Sequence, residues 1–159
     1  MKEQISIIQI IQLMLAPGLM ISACGLLLLG MNNKYSLVVN RIRLLNEERR
    51  KYFAKAGERD FNYEETVRLE SISKQMNELV TRVSLVKNAV LYYTIAVALF
   101  VITSLFIGLL YFYELPGLNM FVTFLFLCGM ISVLIGVIFA ATETKKGFDI
   151  IKLEVKIEE

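Results

Sequence analysis

The chain carries few groups able to do chemistry within or beside its long apolar runs. The candidates to line a polar path are Gln9, Gln12, Ser22, Thr103, Ser104, Thr123 and the carboxylate of Glu143. Amides and hydroxyls of this kind can replace part of an ion's hydration shell, with Glu143 at the inner mouth of such a path. The same groups equally satisfy themselves on helix carbonyls. Gln9 and Gln12 are three residues apart and share a helix face, so they either line a polar crevice or lie at headgroup level. A carboxylate at a membrane edge is a functional candidate by default; for Glu143, pairing with Lys34, Lys87, Lys145 or Lys146 is the simpler reading. Cys24 and Cys128 fall in separate runs, where buried thiols are usually inert packing residues. The sequence has no histidine, which excludes a histidine base or metal ligand. Two cysteines build neither a disulfide scaffold nor a four-cysteine zinc site. Paired cysteines at CxxC spacing, a phosphate-cradling glycine loop, a nucleophile elbow and an acid pair within a span are all missing. The expectation is a protein without cofactor, metal or enzymatic activity.

The elements that must position these groups follow from composition. The 159 residues are 56% hydrophobic, with 17 Lys+Arg against 15 Asp+Glu, and the apolar excess is too large for one small soluble core. It is concentrated in three nearly uncharged runs, Ile5 to Met31, Ala89 to Tyr113 and Leu118 to Ala141. Each reaches the roughly 20 residues a helix needs to cross a bilayer. None alternates as a barrel strand would, so all three are expected to be transmembrane helices. The first run exceeds one span, and Pro17-Gly18 divides it into an interfacial segment and a main span, with a kink at the proline. The stretch Ile21-Ser22-Ala23-Cys24 resembles a lipoprotein cleavage box. The run stays apolar past the cysteine, however, which favours an uncleaved helix.

Basic residues orient the spans. Twelve of the seventeen lie between Lys34 and Lys87 and four in the C-terminal tail, whereas Glu114-Leu115-Pro116-Gly117 has none. The positive-inside rule places the central segment and C-terminus in the cytoplasm and the N-terminus outside. The expected organisation is therefore 1–33, interfacial segment and first span; 34–88, a cytoplasmic helical hairpin; 89–113, second span; 114–117, outer turn; 118–141, third span; and 142–159, cytoplasmic tail. Tyr111 and Tyr113 fall at the outer interface, Tyr92 and Tyr93 toward the inner one. In the tail, Phe148, Ile151 and Val155 favour a short helix over the strand that the alternation of 151–158 would also allow.

The polar segment is patterned. Leu69, Ile72, Met76, Leu79, Val83, Val86 and Val90 repeat at spacings of 3 and 4, a heptad seam leading into the second span. Val38, Ile42, Leu45 and Tyr52 form a matching stripe after the first. Gly57 and Glu58-Arg59-Asp60 supply a turn, with Asp60 or Asn62 as helix cap. Folding back there pairs Ile42 with Met76, Val38 with Leu79 and Leu45 with Ile72, in a register whose residue numbers sum to 117 or 118. The expected fold class is thus an all-α membrane protein, three transmembrane helices, the first two extended into a cytoplasmic antiparallel coiled-coil-like hairpin. Charges on its outer face, such as Glu47, Glu48, Arg49 and Arg50, are solvated surface or contacts for anionic lipid headgroups or a protein partner. Basic and acidic residues alternate there, which argues against nucleic-acid binding.

Leu15-Ala16-Pro17 and Ser22-Ala23-Cys24-Gly25 in the first span, Asn40-Arg41-Ile42-Arg43-Leu44-Leu45 after it, Val86-Lys87-Asn88-Ala89 at the second and Glu143 after the third together resemble the bacterial membrane family catalogued as domain of unknown function 2721. The resemblance covers nearly the whole chain and implies an integral protein of the bacterial inner membrane with no established activity. Members usually carry aspartate where this chain has Asn40.

Two features favour self-association. Cys128, Ser132, Gly136 and Ala140 form a small-residue ridge at i, i+4 spacing, and Gly18, Ser22 and Gly25 share a face of the first span. Packing inside the chain and packing between subunits are both open to these faces. The reading preferred from sequence is a homo-oligomeric scaffold in the lipid bilayer. The alternative is a homo-oligomeric channel or ion-translocating subunit.

Overall fold

A computed structural model of the chain describes residues 7–56, 62–113 and 118–157. They form three long helices, α1 (Ile7–Ala56), α2 (Tyr63–Tyr113) and α3 (Leu118–Ile157), each long and apolar enough to cross a membrane. The protein is thus a multi-pass membrane protein by the length and composition of its helices. The expected turn residues Gly57, Glu58, Arg59 and Asp60 and the expected outer turn 114–117 lie outside the described residues, as do the side chains of Tyr111 and Tyr113.

Two boundaries differ from the sequence reading. The N-terminal interfacial segment is not a separate element, because α1 runs unbroken through Pro17. A proline removes one backbone donor, a loss that membrane helices tolerate where neighbouring groups compensate; Pro17 itself is fully buried. The tail is likewise no separate element. Helix α3 continues past Ala141 to Ile157 without a break, since residues 142–157 contain no proline and only one glycine.

The chain divides into two compact units. The first comprises Met1–Met31 and Asn88–Phe139. Its core gathers Cys24, Ala96 and Phe100, with Met20, Ile21, Val97, Phe126 and Val133 against them. Helices in lipid gain no hydrophobic effect by touching, so close packing and hydrogen bonds must hold them. Both are present. A Cβ built on Gly129 would lie 2.7 Å from the Phe100 ring, and one on Gly136 would lie 2.6 Å from the Tyr93 ring. Each glycine is therefore the hole that admits an α2 aromatic ring. Ser132 donates from Oγ to the Tyr92 carbonyl at 2.8 Å. Phe100–Phe126, Tyr92–Phe139 and Phe106–Phe121 add ring pairs with centroids 5.5, 5.6 and 5.6 Å apart. Such pairs contribute about 0.5–1.5 kcal/mol each beyond their area.

The second unit comprises Asn32–Lys87 and Ala140–Glu159. Val38, Leu45, Ile72 and Val86 are buried, and Ile42, Tyr52, Leu69, Met76, Leu79 and Val83 are half-buried. The apolar stripes read from the sequence therefore face inward. At the start of α2, Asn62 is the cap. Its backbone N–H donates to Glu65 Oε2 at 3.1 Å, and its carbonyl accepts the Thr66 N–H at 3.1 Å. This is the reaching-back half of a capping box, and it satisfies a donor that the first turn would leave bare. Arg68 grips Glu48 through Nε at 2.8 Å and Nη2 at 3.2 Å, joining α2 to α1.

One period organises the burial along all three helices. Pro17, Cys24, Met31, Val38 and Leu45 are buried on α1 at intervals of seven. On α2, Val86, Tyr93 and Phe100 form one such line and Ala89, Ala96 and Thr103 another. On α3 the line is Val122, Gly129, Gly136 and Glu143. A repeat of seven is two turns at 3.5 residues per turn, the geometry of left-handed helix packing.

Candidate functional site

Glu143 ends the α3 line as a carboxylate where its three predecessors are apolar. It is 1% exposed, and both oxygens are engaged. Arg82 on α2 donates to Oε1 from Nη2 at 2.7 Å and from Nε at 3.1 Å. Lys34 on α1 donates to Oε2 at 3.1 Å. Lys34 Nζ also donates to Thr144 Oγ1 at 2.9 Å. One buried carboxylate thus ties together a residue from each of the three helices within the second unit. Removing a carboxylate from water is costly, and the cost is met here by charge-assisted hydrogen bonds on both oxygens.

Gly147, one turn beyond Glu143, completes the arrangement. It is buried, and a Cβ built there would lie 2.9 Å from Arg82 Nη2. The guanidinium lies against bare helix backbone, as the Phe100 and Tyr93 rings lie against Gly129 and Gly136. Two of the three partners, Lys34 and Glu143, were legible in the sequence as an edge carboxylate and a facing lysine. Arg82 was not singled out. Its signal is position: it sits seven residues before Ala89, on the line that continues through Ala96 and Thr103. Lys34 with Arg82, and Glu48 with Arg68, have residue numbers summing to 116, next to the register read from the seam.

The polar residues of the spans are not brought together in this way. Thr103 is buried and donates to its own helix at the Leu99 carbonyl, at 2.7 Å. Thr123 and Ser22 are exposed, bonded four residues back to Asn119 and Gly18 at 3.0 and 3.3 Å. Ser104 is half-buried, and Gln9 and Gln12 are exposed. The two small-residue faces differ from each other. On α3, Ser132 and Gly136 are buried against α2, while Cys128 and Ala140 are half-buried. On α1, Gly18, Ser22 and Gly25 are exposed, and a Cβ built on either glycine would meet nothing within 4 Å. Among the described residues, no group of three or more His, Cys, Asp or Glu is placed to hold a metal ion, and every buried side-chain nitrogen or oxygen has a partner.

The family model described as protein of unknown function DUF2721 matches residues 14–153, a stretch that contains all of Lys34, Arg82, Glu143 and Gly147. This chain belongs to that family. No curated protein and no solved structure matches the chain. For this DUF2721 member the functional reading therefore rests on geometry: a three-helix ionic clasp in one unit, and in the other an α1 face of small residues that its own chain leaves open.

Proposed function

We propose that this protein is a homo-oligomeric scaffold of the bacterial inner membrane, without enzymatic activity. Its N-terminus lies outside and its C-terminus in the cytoplasm, in keeping with the distribution of basic residues. Helices α1 and α2 continue from the membrane as an antiparallel coiled-coil-like hairpin, a reading supported by the inward heptad stripes and the Glu48–Arg68 pair. The observation that carries the scaffold reading is the contrast between its glycines. Gly129 and Gly136 of α3 are filled by rings of the same chain; Gly18 and Gly25 of α1 are open. Small residues let helix backbones approach closely in lipid, and an open small face on the outside of a chain suits the same face of another copy. Cross-linking in native membranes tests this. A single-cysteine variant S22C, in a C24S/C128S background, should form dimers on oxidation, and L29C should follow it weakly. If S22C stays monomeric, or if a lipid-facing control such as L134C cross-links equally well, the reading fails.

A conducting path has less support. The hydroxyls of Ser22, Thr103 and Thr123 are each committed to a carbonyl of their own helix.

A further inference from the structure

The two units' charges are unevenly spread along the helices, in a way that orientation alone does not require. The parts of the second unit next to the apolar runs, residues 32–46, 79–87 and 140–148, hold seven basic residues and a single acidic one, Glu143. The remainder of the hairpin, residues 47–78, holds seven basic and eight acidic residues. The only negative group in the basic zone is 1% exposed, while its two cations stay in reach of a ligand, Lys34 at 43% and Arg82 at 25% exposure. What this cluster offers outward is therefore cationic; the Thr144 hydroxyl beside it accepts from Lys34 and donates to the Ala140 carbonyl. Lys34 follows the first apolar run by three residues and Glu143 follows the third by two, which is the level of lipid phosphates.

We propose that Lys34 and Arg82, held in place by Glu143, bind the phosphate of an anionic phospholipid in the leaflet on their side of the membrane. Glu143 acts as a positioning residue: by engaging Nη2 and Nε of Arg82 and Nζ of Lys34 it fixes two long side chains that would otherwise lose rotamer freedom on binding. Lysine and arginine near a membrane surface each strengthen anionic-lipid attraction, and here two of them flank one buried carboxylate, which leaves the cluster a net positive charge. The proposal rests on the membrane reading given above but not on self-association or on which face is cytoplasmic.

The test uses the full chain in phosphatidylcholine nanodiscs containing a minority of spin-labelled phosphatidylglycerol, which both leaflets present. The readout is the motionally restricted fraction of label, compared with spin-labelled phosphatidylcholine. The wild type should prefer phosphatidylglycerol, and K34Q and R82Q should each lower that preference about fivefold. K34R, which keeps the charge, should retain it. The double variant R50Q/K51Q, which removes two cations from the distal hairpin, should leave it unchanged. Equal restriction of both lipids by the wild type would overturn the proposal. An equal loss in R50Q/K51Q would also overturn it, by showing general attraction rather than a site. Full displacement of the label by inorganic phosphate would overturn it in favour of a soluble phosphate ligand.

Discussion

Replacing Glu143 with glutamine keeps the side chain's shape and one acceptor oxygen but removes its charge. Three hydrogen bonds from cations then lose their ionic partner. Breaking a fully buried ion pair from one side costs about 3–5 kcal/mol, because a charge is left buried and alone. The cations here are not fully buried. Lys34 is nearly half exposed and recovers most of its hydration, while Arg82, at a quarter, recovers less. The expected loss for E143Q is therefore about 2–3 kcal/mol, below the buried range but well above the ~0–1 kcal/mol of a surface pair. R82Q, which removes two of the three cationic hydrogen bonds to Glu143, should cost more than K34Q, which removes one. Unfolding titrations in mixed detergent micelles, followed by helical circular dichroism, measure all three variants. The double variant E143Q/R82Q closes a cycle whose coupling should exceed about 1 kcal/mol. An E143Q variant within ~0.5 kcal/mol of wild type, the range of an ordinary surface substitution, would refute the reasoning.

Glycine substitutions separate filled faces from open ones. Gly136→Ala forces a Cβ to 2.6 Å from the Tyr93 ring and should cost about 1–3 kcal/mol by the same titration. Gly25→Ala meets nothing within 4 Å and should leave the monomer's stability equal or slightly raised. Gly147→Ala should displace the Arg82 guanidinium and reproduce part of the R82Q loss, and little of it in an R82Q background. The hydrogen bond from Arg68 holds the Glu48 carboxyl below its ordinary value, outweighing the opposing effect of burial. Its contribution to stability is thus complete above the unfolded value, about 4.3, and is lost as pH falls through the lower folded value. Because the pair is exposed, that acid-side loss should be small, absent in R68Q, and reduced in high salt. For orientation, an impermeant maleimide added to whole cells should label a cysteine introduced at Leu115 but not one introduced at Arg50.

How much of this was legible depends on contrast. In the charge-rich segment 34–88, apolar residues stand out against charged neighbours, so Leu69 to Val86 and Val38 to Tyr52 declared their inward face by spacing alone. Inside the spans nearly every residue is apolar, and hydropathy cannot tell a lipid-facing leucine from a helix-facing one. Many of the residues that face inward there are small or unusual ones, Pro17, Cys24, Ala89, Ala96, Gly129 and Gly136, packed beside the large rings of Tyr93 and Phe100. Their common interval of seven is present in the sequence but has no hydrophobic signature, since what they share is size. Arg82 was missed for a related reason. It occupies a core line as a charged residue, and a search for apolar periodicity passes over it, whereas the line through Ala89, Ala96 and Thr103 points to it. The pairing of Gly136 with Tyr93 and of Gly147 with Arg82 could be found only once the antiparallel offset of α2 and α3 was known.

Self-association through the open face of α1 is most directly tested by the mass of the protein in lipid nanodiscs, measured by native mass spectrometry. The wild type should appear as a multiple of 18.1 kDa. The variant G18L/G25L should fall to that single-chain mass with its helical content unchanged. A wild type at 18.1 kDa in lipid, or an assembly indifferent to leucine at both glycines, would contradict the account.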